Sequence, residues 1–152
     1  MSGGADILKV IHRKQKDMIA LLERFEDWLL AAEYSARKPN NKMNSLFSKV
    51  KSHIDTHLEF ETEYLLPLLN KNANQRTLAG LVQQRALIIN LTGKMHRLME
   101  NIQNEKLGIC AWDEFIDSAL TLVHATFSLF HWEELAFLPS ARGNLVPVTG
   151  EY

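Results

Sequence analysis

His57 and Glu61 stand four residues apart in the run His57-Leu58-Glu59-Phe60-Glu61-Thr62-Glu63-Tyr64-Leu65-Leu66-Pro67. On a helix this spacing sets an imidazole and a carboxylate one turn apart on the same face. Donors so placed can reach one metal ion or two adjacent ones, and a bridging carboxylate would help hold a pair together. The same spacing also suits a partly solvated His–Glu pair at the edge of an apolar face, because a carboxylate buried without a partner is costly. His12 follows Ile11, four residues after Leu8 and seven before Ile19. It is therefore expected to face as the apolar stripe faces, either as a ligand or as a hydrogen-bonded core residue. His53, one turn before His57, reads as a surface residue or a support to the pair.

Four amphipathic stretches would carry these groups. From about Ala5 to Tyr34, Leu8, Ile11, Met18, Ile19, Leu22, Phe25 and Leu29 recur mostly at three- and four-residue spacing, the helical period. Lys38-Pro39-Asn40-Asn41 breaks the pattern. A second helix is expected from about Asn44 to Asn70, with Phe47, Val50, Ile54, Phe60, Tyr64 and Leu68 as its stripe and Pro67 kinking or loosening its last turn. After Asn70-Lys71-Asn72-Ala73-Asn74, a third helix carries Leu78, Leu81, Val82, Ile88, Leu91, Met95, Leu98 and Ile102, and stops between Asn104 and Gly108. The fourth begins near Trp112 or Asp113, carries Phe115, Ile116, Ala119, Leu120, Val123, Phe127, Phe130 and Phe137, and ends at Pro139. No useful segment alternates apolar and polar residues as a half-buried strand does. The expected class is all-α: an antiparallel up-down four-helix bundle over residues 1–139, with an irregular tail over 140–152. Bundles of this kind build metal sites from polar side chains that point inward from facing helices.

A histidine in the middle of the first helix, then His-x-x-x-Glu followed by a second acidic residue, an apolar pair and a proline, resembles the hemerythrin-like family. Order and spacing match over the first 70 residues, and the four-helix plan extends the likeness to about residue 139. The resemblance implies a bundle around a non-haem di-iron centre held mainly by histidine and carboxylate ligands. His12 matches the ligand of the first helix, and His57 and Glu61 match the pair of the second.

The second half departs from that pattern. Where the third helix should carry a histidine, the run Leu81-Val82-Gln83-Gln84-Arg85 has Gln84, whose amide oxygen is a weak iron ligand beside imidazole. His96 lies twelve residues further on, more than three turns away. Trp132 to Pro139 echoes Phe60 to Pro67 of the second-helix run, and aligning the prolines sets Glu133 opposite Glu61 but Leu129 opposite His57. Projected at 100° per residue, Glu134 lies nearer the centre of the apolar stripe than Glu133. His131 with Glu134, and His124 one or two turns away, therefore read either as alternate ligands or, for the two histidines, as residues that flank the core and cap its edge. The set in register with the family is His12, His57, Glu61 and Glu133, which implies a mononuclear or partial di-iron site, or no metal. Lys16 and Arg85 fall near core lines. If either pairs with a buried carboxylate such as Glu61, it takes the space of a missing metal.

Composition narrows the alternatives. With 152 residues, 46% hydrophobic and 23% charged, the chain is one ordinary globular domain. A formal net charge of -1 with scattered Lys and Arg argues against nucleic acid as partner. Cys110 is the single cysteine, so it forms no internal disulfide, and a cytoplasmic protein with neither a secretory signal nor a membrane anchor is expected. The tryptophans Trp28, Trp112 and Trp132 read as packing residues. No catalytic constellation is present, and the paired Glu-x-x-His sequences of oxygen-activating bundles are missing. Two readings follow. One is an iron-binding protein that senses or stores oxygen, nitric oxide or iron. The other is a metal-free bundle, monomeric or homodimeric, that regulates by binding a protein partner, for instance in transcription.

Overall fold

In the computed structural model, residues 3–35, 41–72, 75–103 and 109–141 are described, and all of them are helical. The elements are α1 (Gly3–Ser35), α2 (Asn41–Phe60), a π-helical turn (Glu61–Leu65), α3 (Leu66–Asn72), α4 (Gln75–Gln103) and α5 (Ile109–Ala141). As α2, the π turn and α3 follow without a break, the chain has four helical arms. Of the breaks expected at 38–41, 70–74 and 104–108 and the tail expected from 140, Asn41, residues 70–72 and residues 140–141 are helical, and the rest lies outside the described residues.

Each arm buries one seam whose members alternate four and three residues apart, the narrow spacing of helices that pack along their length. On α1 the seam is Ile11, Gln15, Met18, Leu22, Phe25, Leu29 and Ala32. On α2 it is Met43, Phe47, Val50, Ile54, His57 and Glu61. On α5 it is Phe115, Ala119, Leu122, Thr126, Leu129, Glu133 and Ala136. On α4, Leu81, Ile88, Thr92, Met95 and Met99 are buried, and the same spacing passes through Arg85. Helix α5 packs on both α1 and α4, and α2 touches α1 and α4.

The seams settle several expectations. Leu8 and Ile19 are only partly buried, so the α1 face is centred away from His12. Val82, assigned to the core, is half exposed. The second arm continues to Asn72 rather than Asn70, and α5 runs past Pro139 to Ala141. A proline so near a helix end forfeits only one late hydrogen bond.

Pro67 has the effect expected of it, but one turn earlier and in a specific form. In an unbroken α-helix its ring would press on the Glu63 carbonyl and supply no amide to it. Instead the preceding turn widens, and the Leu66 amide donates to the Glu61 carbonyl five residues back. The turn takes in one extra residue, so the buried line passes from His57 and Glu61 to Leu65 and Leu69. Tyr64 is turned out at 47% exposure, and Leu68 is half-buried. A uniform helical period carried through the turn assigns Tyr64 and Leu68 to the core for this reason.

Two packing features hold the site's level in place. Phe25, Phe47, Trp112 and Phe115 form a chain of ring contacts, with Trp28 edge-on to Trp112 at 6.0 Å between centroids. This cluster ties α1, α2 and α5 together, and Trp28 lies about 20 Å along α1 from Gln15 at 1.5 Å per residue. At the other feature, Gly80 of α4 faces the Trp132 ring so closely that an added Cβ would come within 2.6 Å of it. Replacing an interior helical glycine with alanine normally stabilises by about 1 kcal/mol. Here overpacking against a rigid ring should outweigh that gain by about 1 kcal/mol or more, so Gly80→Ala is expected to lower the melting temperature measured by circular dichroism.

Candidate metal centre

Four seams meet at one level with polar side chains instead of apolar ones. Helix α1 brings Gln15, α2 brings His57, the π turn that follows it brings Glu61, α4 brings Arg85, and α5 brings Glu133. His57, Glu61 and Glu133 are 1%, 0% and 0% exposed. Ionised carboxylates at such depth require partners.

Glu133 has two. Gln15 Nε2 donates to its Oε1 at 2.7 Å, and His57 Nε2 lies 2.6 Å from its Oε2. A carboxylate only accepts, so the hydrogen of His57 sits on Nε2. The imidazole is also edge-on to Phe130, with centroids 5.5 Å apart. Glu61 is served from the other side. Arg85 Nη1 donates to its Oε1 at 2.6 Å, while its Oε2 lies 3.6 Å from His57 Nε2. Arg85 is pinned further, with Nη1 donating to the Leu58 carbonyl at 3.1 Å and Nη2 to Thr62 Oγ1 at 2.6 Å. Thr62 Oγ1 in turn donates to the Leu58 carbonyl at 3.0 Å. These bonds gather where the arm passes from α to π geometry.

Among the described residues, two buried side-chain polar atoms have no hydrogen-bond partner, Glu61 Oε2 and His57 Nδ1. An acceptor left so is expensive, at about 1–3 kcal/mol for a neutral group and more for a charged one. His57, Glu61 and Glu133 each offer one ligand atom, and these atoms lie within 4.8 Å of one another. Nitrogen with two carboxylate oxygens suits iron, manganese or zinc. The unpartnered carboxylate oxygen is what a cation would satisfy. The residues present therefore fit one ion.

The structure brings together three of the four residues in the family's register and leaves the fourth outside. His12 is half exposed and pairs with Glu134 at 2.9 Å across the surface between α1 and α5. That also corrects Glu134, which is 52% exposed in its side chain while its neighbour Glu133 is sealed. The apolar face of α5 is broad, with Leu120, Phe127 and Trp132 packed at its flanks, so the centre of its stripe is a poor guide to its seam. His131 is exposed, and His124, 73% exposed in its side chain, lies 3.9 Å from Glu26. Gln84 is half-buried and Lys16 is exposed. Leu129 is in the core one turn before Glu133.

Gln15 went unnoticed in the sequence. It stands at the position of the α1 seam that His12 misses, between Ile11 and Met18, and the alternation of four and three was the signal that marked it. Gln15→Ala should cost about 1–3 kcal/mol, the penalty for stripping a donor from a buried charged acceptor. Loss of the exposed His12–Glu134 pair in His12→Ala should cost about 0.5 kcal/mol or less. Urea denaturation of the two variants separates these outcomes.

Comparison with known proteins adds one finding. Residues 3–141 match the hemerythrin HHE cation-binding domain, nearly the whole chain. No curated protein and no solved structure matches.

Proposed function

The chain belongs to the hemerythrin HHE cation-binding domain family, and from that premise we propose that it is a non-haem iron protein with a reduced, single-ion centre that acts as a sensor or binding protein. His57, Glu61 and Glu133 are the residues that would hold the ion. The observation that carries this reading is the fully buried, unpartnered Glu61 Oε2, next to two further ligand groups.

The remaining residues have supporting tasks. Gln15 fixes the rotamer of Glu133 through Oε1 and leaves Oε2 for the shared centre. Arg85 fixes Glu61 in the same way from the opposite side. A cleft of about 270 Å³ lined by Lys14, Asp17, Met18, Ser52, His53 and Thr56 reaches His57 between α1 and α2. It gives a small molecule a way in without passing the apolar core. Iron bound here would supply reversible affinity for dioxygen or nitric oxide.

A second reading draws on Arg85 itself. With Glu61 held by a guanidinium and Glu133 by Gln15 and His57, the carboxylates have cationic or hydrogen-bonding partners of their own. A metal-free bundle that regulates through a protein partner is consistent with that. The exposed, uncharged face of α4 with Val82 and Ile89 would be available to such a partner.

Metal analysis decides between them. Protein expressed with added iron should carry about one iron per chain, and the metal should raise the melting temperature as ligands that bind only the folded state do. His57→Ala should lose the metal. Metal-free protein after such expression, with melting unchanged by ferrous iron, removes the first reading.

A further inference from the structure

We propose that Arg85 is a built-in second cation: its guanidinium stands against Glu61 where another metal would bind, and it limits the centre to one ion. This rests on the single-ion reading above and names what enforces it.

The inference starts from the way Glu61 faces in two directions. Oε2 is turned toward His57, at 3.6 Å from Nε2, on the side where the three ligand groups converge. Oε1 is turned toward α4 and meets Arg85 Nη1 at 2.6 Å. A carboxylate directed this way is set to join two cations, and on the α4 side the cation is part of the chain. The guanidinium is also not a loose surface group. Its side chain is 13% exposed, and its bonds go to a carboxylate, the Leu58 carbonyl and the Thr62 hydroxyl. Those acceptors are all oxygen, the donor type preferred by hard divalent ions. Arg85 also lines a cleft of about 530 Å³ with Leu58, Glu59, Thr62 and Glu63. Removing the guanidinium would open a route from solvent to Glu61 Oε1, with two further carboxylates along it. Formal charge points the same way, since two buried carboxylates against one guanidinium leave a single negative charge for an ion on the other side to offset.

The test compares wild type, Arg85→Lys and Arg85→Gln after metal stripping, with manganese(II) as the probe. Bound metal is measured by equilibrium dialysis with elemental analysis, and melting is followed with and without the ion. Arg85→Gln keeps a polar side chain near Thr62 and Leu58 but removes the charge, so it is better placed to fold than a truncation. Wild type and Arg85→Lys should bind about one ion per chain, and Arg85→Gln about two. The melting temperature of Arg85→Gln should rise more with manganese than that of wild type. A further Glu61→Gln change in Arg85→Gln should abolish the added ion. The proposal is overturned if wild type takes two ions with Arg85 in place, or if Arg85→Gln takes no more than wild type. Should wild type bind no ion while Arg85→Gln binds one that requires Glu61, the single-ion reading falls and the role of Arg85 stands.

Discussion

Two carboxylates with no exposure sit in the middle of a helical core, and the bundle's local structure is arranged around satisfying them. Neither Glu61 nor Glu133 can be met from its own helix alone. Glu133 on α5 needs Gln15 from α1 and His57 from α2, and Glu61 needs Arg85 from α4. The interactions that keep the charges in the interior are therefore also those that fix the four arms to a common level. Removing one partner from such a set is far more damaging than replacing the whole set with well-packed apolar groups.

Much of the fold was legible because helical periodicity survives in any sequence whose arms bury one side. The class, the four arms and their approximate ends came from the recurrence of Leu, Ile, Phe and Met. The site was legible in part. His57 and Glu61 announce themselves as a pair at helical spacing, and Glu133 through the echo ahead of Pro139. His12 and Gln15 show where the reading ran short. Averaging an apolar stripe over α1 does not separate positions one residue apart, whereas a strict alternation of four and three does. Glu133 and Glu134 pose the same difficulty on α5, made worse by its broad apolar face. Arg85 and Lys16 were both visible as basic residues near core lines with Glu61 as a candidate partner, and only the placing of α4 against the π turn separates the paired Arg85 from the exposed Lys16.

Family membership and local chemistry agree in a limited way. The match over residues 3–141 explains why polar side chains converge inside the bundle. What the chain does with that inheritance is its own. Leucine and glutamine stand at two positions where ligands would be expected, a guanidinium has moved against one carboxylate, and a glutamine supports the other. His57 is the only buried histidine among the described residues.

The π turn affects how distance along this chain should be understood. Glu61 and Glu133 each precede a proline by six residues, and as text the two runs are superimposable. In space they are not, because one run winds through a widened turn and the other through continuous α-helix. Beyond the two glutamates, Tyr64 is 47% exposed whereas Ala136, which stands opposite it when the prolines are aligned, is buried. The written likeness thus locates the two carboxylates but does not carry past them, because one widened turn shifts the register of one arm by a residue.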